Sequence, residues 1–574
     1  MFIVTTFALA LVIARVVILQ TTDAGALRAA GLAQRTSETT LRASRGVIFD
    51  RNGDELALSV PSTTIYANPK LVTDVVGTVS ALTTLLNLSP QKQQSLTAAF
   101  TSKEKGFVYV ARQVDDSLAR AVTSLDLHGI FAIDEDRRTM PGGEVGRSVI
   151  GLTDIDGDGI AGIEKQYDEI LTGVDGEQVR QHDRDGRSLP GAGTVTQAPT
   201  PGDDIILTID RSVQYAVEIA MLEQASTLGA RGGTAIVMST KTGEIIAMVG
   251  VRISDDGIYR VTSGNIAAVD AAEPGSVAKA ITVAGALNEG VVTPDTYIEV
   301  PWQKKFSDTM LHDAEVHATE TWPVSKILVE SSNIGTIEIF LRQGDTLREA
   351  KEKQYEYMRA FGLGERTPLD FPDESSGILK DWKKWEGSEP YTLAYGQGVS
   401  STSIQLAAAI NVIANDGRYV APKLVKATIG ADGEVTDTAA SETRDVVGPE
   451  VAKQMNALMR EVVCTGTAKA AQVPGVSVAG KTGTGLKAQP NGTYVNERGE
   501  RTYYSSFVGF FPAEDPEVTV LISIDEPPGA EGQITRFGGT AAAPVFAKIA
   551  PTIMHELAVT PPLAGGGGCA PTKE

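Results

Sequence analysis

The chain has 574 residues, 42% of them hydrophobic and 21% charged, a globular composition too long for one ordinary core, so two large domains or more are expected. Lys and Arg number 51 against 72 Asp and Glu; the net charge of −21 repels phosphate backbones and argues against nucleic-acid binding. Two cysteines and five histidines offer no metal-ligand spacing, so neither a metal nor a cofactor is expected, and whether Cys464 and Cys569 pair is open from sequence alone.

Residues Phe2 to Gln20 are nearly all apolar, with one charge at Arg15. At 1.5 Å rise per residue they make about 28 Å of helix, enough to cross a bilayer core. No Ala-x-Ala-like cleavage site follows, so residues 1–20 read as an uncleaved transmembrane anchor. Arg28, Arg35, Arg42 and Arg45 follow the segment and nothing basic precedes it, against the usual positive-inside bias. Long domains translocate largely regardless of charge, so the bulk is expected outside the cytoplasm. Asp23 to Thr40 reads as a polar helical stalk. Arg45 to Val60 then carries two apolar runs around Asp50-Arg51-Asn52-Gly53, a hairpin signal.

Residues 21–200 are mixed and rich in Thr, Gly and Asp, without a catalytic cluster. Asp154-x-Asp156-x-Asp158-Gly159 matches the opening of a calcium loop, but the twelfth position is Lys165 where Glu is needed, so a Gly/Asp turn is the reading. Pro199, Pro201 and Gly202 mark a boundary. Asp203 to Asp210 reads as a strand, Arg211 to Gly229 as a helix, and the apolar runs on either side of Lys241-Thr242-Gly243 as a hairpin. Helices and strands then alternate irregularly, which predicts an α+β domain over residues 201–560, an antiparallel sheet packed with helices. The tail, 561–574, with GGGG and two prolines, reads as flexible.

Three short motifs carry chemistry: Ser-x-x-Lys, Ser-x-Asn and Lys-Thr-Gly. Each occurs more than once, so context selects among the copies. Ser276 follows Glu273-Pro274-Gly275 and opens a helix running to Gly290, with Val277, Ile281, Ala284 and Leu287 at helical spacing. A serine at a helix N-terminus has free N–H groups and the positive dipole end beside its oxygen. Lys279, three residues on, shares its face and can act as a base if desolvation lowers its pKa. Ser331 can relay a proton, and Asn333 can hold Lys279 and a substrate amide. Lys481, Thr482 and Thr484 offer a cation and two hydroxyls to a terminal carboxylate, while Gly483 admits a close substrate backbone. The N–H of Thr484 can complete an oxyanion hole with that of Ser276. Ser89 (before a proline), Ser102 (in the charged run SKEKG), Ser263/Asn265 and the Lys241 copy read as structural.

The order Ser276-x-x-Lys279, Ser331-x-Asn333, Lys481-Thr482-Gly483 resembles the penicillin-recognising serine enzymes, and the intervals resemble class B penicillin-binding proteins. RGVIFDRNGDELA, RTMPGGEVGRSVIG and GIEKQYD are similar to that family's pedestal motifs, and AYGQGVSSTSIQLA to its transpeptidase domain. FPDESSGILKDW is most similar to the septal, FtsI-type branch. Met140 and Ser403 depart from the pattern, away from the catalytic motifs. The resemblance implies a transpeptidase domain on a dimerisation-type pedestal. It implies a D,D-transpeptidase that cross-links D-Ala-D-Ala stem peptides during septal wall synthesis and is acylated by β-lactams. The implied partners are an FtsW-type polytopic glycosyltransferase and other divisome membrane proteins. Competing readings are an elongation-type transpeptidase, a D,D-carboxypeptidase or β-lactamase, and a non-catalytic β-lactam sensor or scaffold.

Overall fold

The computed structural model describes residues 2–21, 25, 35–182, 188–487, 489, 493–496, 499–528, 534–560 and 568–569. Helix α1 (Phe2–Thr21) has no buried residue and is long and apolar enough to cross a membrane, which fits a single-pass anchor. Residues 36–41 correct the expected helical stalk. Thr36–Leu41 is a strand, β1, paired with Gly176–His182 of the distal pedestal. Its sequence, TSETTL, is half threonine, whose branched side chain suits a pleated strand better than a helix. Apart from residue 25, the rest of that stretch, 23–34, lies outside the described residues.

The pedestal continues through β2 (Ile48–Phe49), β3 (Glu55–Ala67), β4 (Val108–Val114) and β5 (Ile130–Thr139), then β6 (Gly176–His182) and β7 (Ser188–Gln197). The hairpin expected at Asn52-Gly53 is present between β2 and β3. Only Gly53 takes positive φ, and Asp50 closes the turn by accepting the N–H groups of Asn52 and Asp54. The Asp154–Gly159 stretch is a turn closed by the Asp154 carboxylate, which accepts the N–H of Asp156 and Asp158; Asp156 is paired with Arg112. Three helices, Val75–Leu86, Pro90–Ser102 and Asp116–Thr123, close a small separate core with Ile65, Leu82, Phe100 and Val110.

Strand β8 (Asp204–Leu207) lies where the sequence places the domain boundary, and it belongs to both sides. It pairs in parallel with β2 of the pedestal and antiparallel with β12 (Val425–Ile429) of the larger domain, on which β13 (Val435–Asp437) follows. Ile48, Leu56, Val149, Ile163 and Leu171 therefore share one core with the catalytic domain. Asp50 also accepts the N–H of Arg211 at the start of the helix expected there, α2 (Arg211–Leu228).

The larger domain is built on one antiparallel sheet. Its order is β11 (Tyr259–Val261), β10 (Ile245–Ile253), β9 (Gly232–Ser239), β16 (Val518–Asp525), β15 (Tyr503–Phe511), β14 (Ala479–Leu486). Strand β16 is buried at every residue and β9 at all but one, because helices cover both faces of the sheet. Helices α2 and α7 (Ala543–Glu556) pack together on one face. On the other lie α5 (Ser403–Ala414) and α6 (Pro449–Cys464), with α3 (Ala278–Asn288) and α4 (Asn333–Leu341) beyond them. The sheet ends at β14, so the strand carrying Lys-Thr-Gly is an edge. Cys464, at the end of α6, is bonded to Cys569, with Cα atoms 5.2 Å apart. Within the tail expected to be flexible, Cys569 is thus tied to the catalytic domain; the rest of 561–574, apart from Gly568, lies outside the described residues.

The pedestal motifs converge on one buried ionic cluster. Arg45 donates to Glu164 at 2.6 Å and Asp168 at 2.7 Å, and Arg138 reaches the other oxygen of Glu164 at 2.7 Å. Glu164 is 1% exposed. Removing it leaves two guanidinium groups short of their counter-charge, which costs about 3–5 kcal/mol. Glu164→Ala is therefore expected to lower the denaturant midpoint by that equivalent. A loss below about 1 kcal/mol, the range of surface pairs, would contradict the assignment.

Candidate active site

Ser276 sits in a 3₁₀ turn, Gly275–Val277, that runs straight into α3. Gly275 has φ +52°, and a Cβ there would lie 2.7 Å from the carbonyl oxygen of Thr484, so only glycine lets the turn meet strand β14. The N–H of Gly275 donates to the carbonyl of Gly396 at 3.1 Å, and Thr282 Oγ1 donates to that of Ala394 at 2.7 Å. The AYGQG segment thus fixes the nucleophile helix from behind. Residues 278–287 are all buried, Lys279 among them.

Lys279 and Lys481 have no exposed surface, and both reach Ser331. Lys279 Nζ donates to the carbonyl of Ser331 and, at 3.2 Å, to its hydroxyl. Lys481 Nζ donates to the same hydroxyl at 2.9 Å and to the carbonyl of Thr482 at 3.2 Å. Burial pushes the Lys279 ammonium down to about 7, against the attraction of Asp313. Burial, then the charge of Lys279, holds Lys481 well below the usual lysine range. Two cations on one hydroxyl disfavour each other, so Lys481 is not the simple fixed charge expected from sequence. Ser331 itself has φ +59°, a left-handed conformation that costs a serine on the order of 1 kcal/mol. That twist turns its carbonyl and hydroxyl together toward the lysines.

Asp313 holds this twist in place, and sequence reasoning missed it. Its buried carboxylate accepts the Ser332 hydroxyl at 2.7 Å, the N–H of Asn333 at 2.6 Å and that of Ile334 at 2.9 Å, with His317 Nε2 at 3.0 Å. It therefore neutralises the N-terminus of α4, which Ser332 caps. No sequence spacing advertises a cap supplied from a different hairpin. Asn333 Nδ2 donates to the carbonyl of His312 at 2.9 Å, whereas Lys279 Nζ donates to Ser331 and not, as expected, to the Asn333 side chain.

On β14, Thr482 shares a hydrogen bond of 2.7 Å with Thr467, a second residue the motifs did not reveal. Gly483 leaves no room for a side chain: a Cβ would stand 2.4 Å from Ser506 Oγ and 2.8 Å from the Pro274 carbonyl. The Thr484 carbonyl points at the nucleophile turn, away from β15, and in a strand the same residue's N–H points the same way. It stands on the side an oxyanion donor needs. Glu273, three residues before Ser276, accepts the N–H of Gly398 and the hydroxyl of Tyr494, each at 3.0 Å, and burial raises its pKa. Its place in Glu-Pro-Gly-Ser was a legible signal.

The other motif copies are structural. Ser89 caps the helix Pro90–Ser102, at whose far end Ser102 is exposed. Asn265 caps a short turn of helix. Lys241 lies in the turn between β9 and β10, 3.6 Å from Asp416.

Residues 233–551 match the family described as the penicillin binding protein transpeptidase domain, and residues 40–207 the penicillin-binding protein dimerisation domain. The chain is 32% identical to penicillin-binding protein PbpB of Mycolicibacterium smegmatis, over 95% of this chain and 88% of that protein. It is 30% identical to peptidoglycan D,D-transpeptidase FtsI of Escherichia coli, over 96% and 90%. A crystal structure of penicillin binding protein 3 from Mycobacterium tuberculosis, complexed with aztreonam, superposes with a TM-score of 0.69 at 26% identity, over 93% of this chain and all of that one. With the three motifs gathered around Ser331 and both domains matched, the chain belongs to the class B penicillin-binding proteins of the FtsI type and is a serine-type D,D-transpeptidase.

Proposed function

We propose that this enzyme cross-links D-Ala-D-Ala stem peptides of peptidoglycan outside the cytoplasm during septal wall synthesis, with Ser276 as its acylated nucleophile. The observation that carries the reading is the Ser331 hydroxyl shared by two buried lysines, beside a nucleophile turn that abuts the edge strand. Neutral Lys279 takes the proton of Ser276 Oγ as that oxygen bonds to the carbonyl carbon of the D-Ala–D-Ala bond. The carbonyl oxygen becomes an oxyanion between the N–H groups of Ser276 and Thr484. Collapse breaks the C–N bond. The proton held on Lys279 passes through the Ser331 hydroxyl to the departing amine, and free D-Ala leaves. An amine of a second stem peptide attacks the ester, its proton returns along the same path, and Ser276 is released. Lys481, Thr482, Gly483 and Thr484 bind the terminal carboxylate, whose negative charge favours the ammonium form of Lys481 on arrival. Asn333 holds the substrate amide through its carbonyl oxygen. β-Lactams enter by the same attack and stay as the ester.

The Cys464–Cys569 bond supports an oxidising location for the bulk of the chain. The pedestal, with no candidate nucleophile, is assigned to contacts with an FtsW-type glycosyltransferase and other divisome membrane proteins.

Intact mass after penicillin treatment is expected to show one adduct, on the peptide bearing Ser276, and none in Ser276→Ala. Label on Ser331 instead would reject the assignment. Lys279→Arg is expected to lose nearly all acylation, because a guanidinium cannot give up its proton, and Lys481→Arg to lose less. Equal losses would mean that both lysines serve as bases.

The acylation rate constant should follow the neutral fraction of Lys279. It falls about tenfold per pH unit below about 7 and levels off above it, since the deprotonated form is the base. A rate flat between pH 5 and 8 is incompatible with this role.

A fluorescent fusion is expected at the division site, with depletion giving undivided filaments or branched chains. Rounded cells with normal septa would assign the enzyme to elongation instead.

A further inference from the structure

Gly538 and Gly539, in the connection from β16 to α7, lie directly against the Lys-Thr-Gly strand. The N–H of Gly538 donates to Thr484 Oγ1 at 3.3 Å, and a Cβ on Gly538 would stand 2.5 Å from the carbonyl of Gly483. A Cβ on Gly539 would lie 2.2 Å from the carbonyl of Thr467, whose hydroxyl meets Thr482. Two residues before Gly538 stands Arg536, anchored through its own carbonyl, which accepts the hydroxyl of Ser505 opposite Thr484 on β15.

The Arg536 guanidinium carbon is 5.0 Å from the ring centroid of Tyr503 and 5.1 Å from that of Phe537, and Nη1 donates to the Tyr503 hydroxyl at 3.2 Å. Two aromatic rings thus hold the cation in a fixed attitude. Nε is cut off from solvent without a partner, and among the described residues no carboxylate pairs with the group. The acidic groups at the end of β16 are taken by other cations, Asp525 by Arg252 and Lys487, Glu526 by Lys487 and Arg231. In a chain with 72 acidic and 51 basic side chains, an arginine held by rings beside a carboxylate-binding strand, short of acceptors, is a site waiting for an anion.

We propose that Arg536 is a specificity-determining residue: held by Tyr503 and Phe537 beside β14, it recognises an ionised carboxylate that the acyl donor carries in addition to its terminal one. The ligand class is an anionic stem peptide, one with a free carboxylate on a residue upstream of the scissile bond. The inference rests on the transpeptidase reading above and names the charge of its substrate. The terminal carboxylate is already served by Lys481, Thr482 and Thr484, so Arg536 acts on a second group. Its planar fork, stacked on rings, can present two parallel N–H donors where a lysine presents a point charge.

The test compares acylation of Ser276 in the full chain by benzylpenicillin and by carbenicillin, its analogue with one added side-chain carboxylate. The readout is the ratio of the two second-order rate constants, carbenicillin over benzylpenicillin. In Arg536→Gln that ratio is expected to fall about tenfold, the worth of one hydrogen bond to a charged group. Arg536→Lys should retain part of it, and rising ionic strength should lower it in the unsubstituted enzyme. If both rate constants fall together and the ratio holds, Arg536 merely braces the strand and the proposal is overturned. It is equally overturned if Arg536→Gln changes neither constant. An unsubstituted enzyme that neither penicillin acylates would instead overturn the transpeptidase reading, and this proposal with it.

Discussion

Two lysine side chains with no exposed surface meet on one hydroxyl, and most of the molecule serves to make that meeting tolerable. Two ammonium groups that share the Ser331 oxygen repel each other in a medium that screens poorly, and this repulsion adds to burial in holding Lys481 well below the usual lysine range. The arrangement survives because each lysine is anchored on a separate rigid element, Lys279 on a helix buried from Ala278 to Leu287 and Lys481 on a strand of the central sheet. It also survives because Ser331 is forced into a left-handed turn that presents two oxygens at once. Asp313 offsets that strain, since one buried carboxylate accepts three donors from the turn and the first residues of α4. The chemistry proposed for Ser276 follows from this electrostatic constraint rather than from any property of the serine itself.

The same logic of buried charge recurs in the pedestal. Arg45 and Arg138 hold opposite oxygens of Glu164, with Asp168 as a second acceptor for Arg45. Three sequence motifs far apart in the chain are thereby closed into one joint. A parallel pairing of β8 with β2, and the Asp50 carboxylate on the N–H of Arg211, pass that rigidity to the catalytic domain. The two domains share a hydrophobic core, so a hinge at the Pro199–Gly202 boundary is not what the packing favours.

Much of this was legible in the residues. The hairpins at Gly53 and Gly243 rest on local turn chemistry, and α2 and α3 rest on helical periodicity, so short-range physics placed them. The three motifs were selected from several copies by context, against a serine before a proline, one in a charged run and a lysine in a hairpin turn; in the fold Ser89 and Asn265 cap helices and Lys241 lies in a turn. The failures share a cause. Asp313 and Thr467 act across the fold on Ser332 and Thr482, and no local pattern records such a contact. The expected stalk failed at residues 36–41 because the partner strand, Gly176–His182, is more than a hundred residues away and overrode a polar segment's apparent helicity. The Cys464–Cys569 bond was left open for the same reason: pairing depends on where the chain returns.

The position of β14 at the sheet edge joins these threads. An edge strand offers unpaired N–H and C=O groups, a template that proteins normally cover or blunt. Here the nucleophile turn lies against it, with the Thr484 carbonyl facing Gly275 and Gly485 packed under the Glu273 carbonyl. Glycines at 483 and 485 let that turn approach so closely: a Cβ at 483 would meet Ser506 Oγ and the Pro274 carbonyl, and one at 485 the Glu273 carbonyl. In the reaction proposed above, a substrate laid along that edge would have its terminal carboxylate at Lys481 and the threonines, and its upstream residues toward the β14–β15 end of the sheet. Tyr503 is the partner of Leu486 there, at the last step of the ladder. Arg536 stands over that ring, so the fold that sets the reacting bond against Ser276 also brings a cation within reach of whatever charge the peptide carries beyond it.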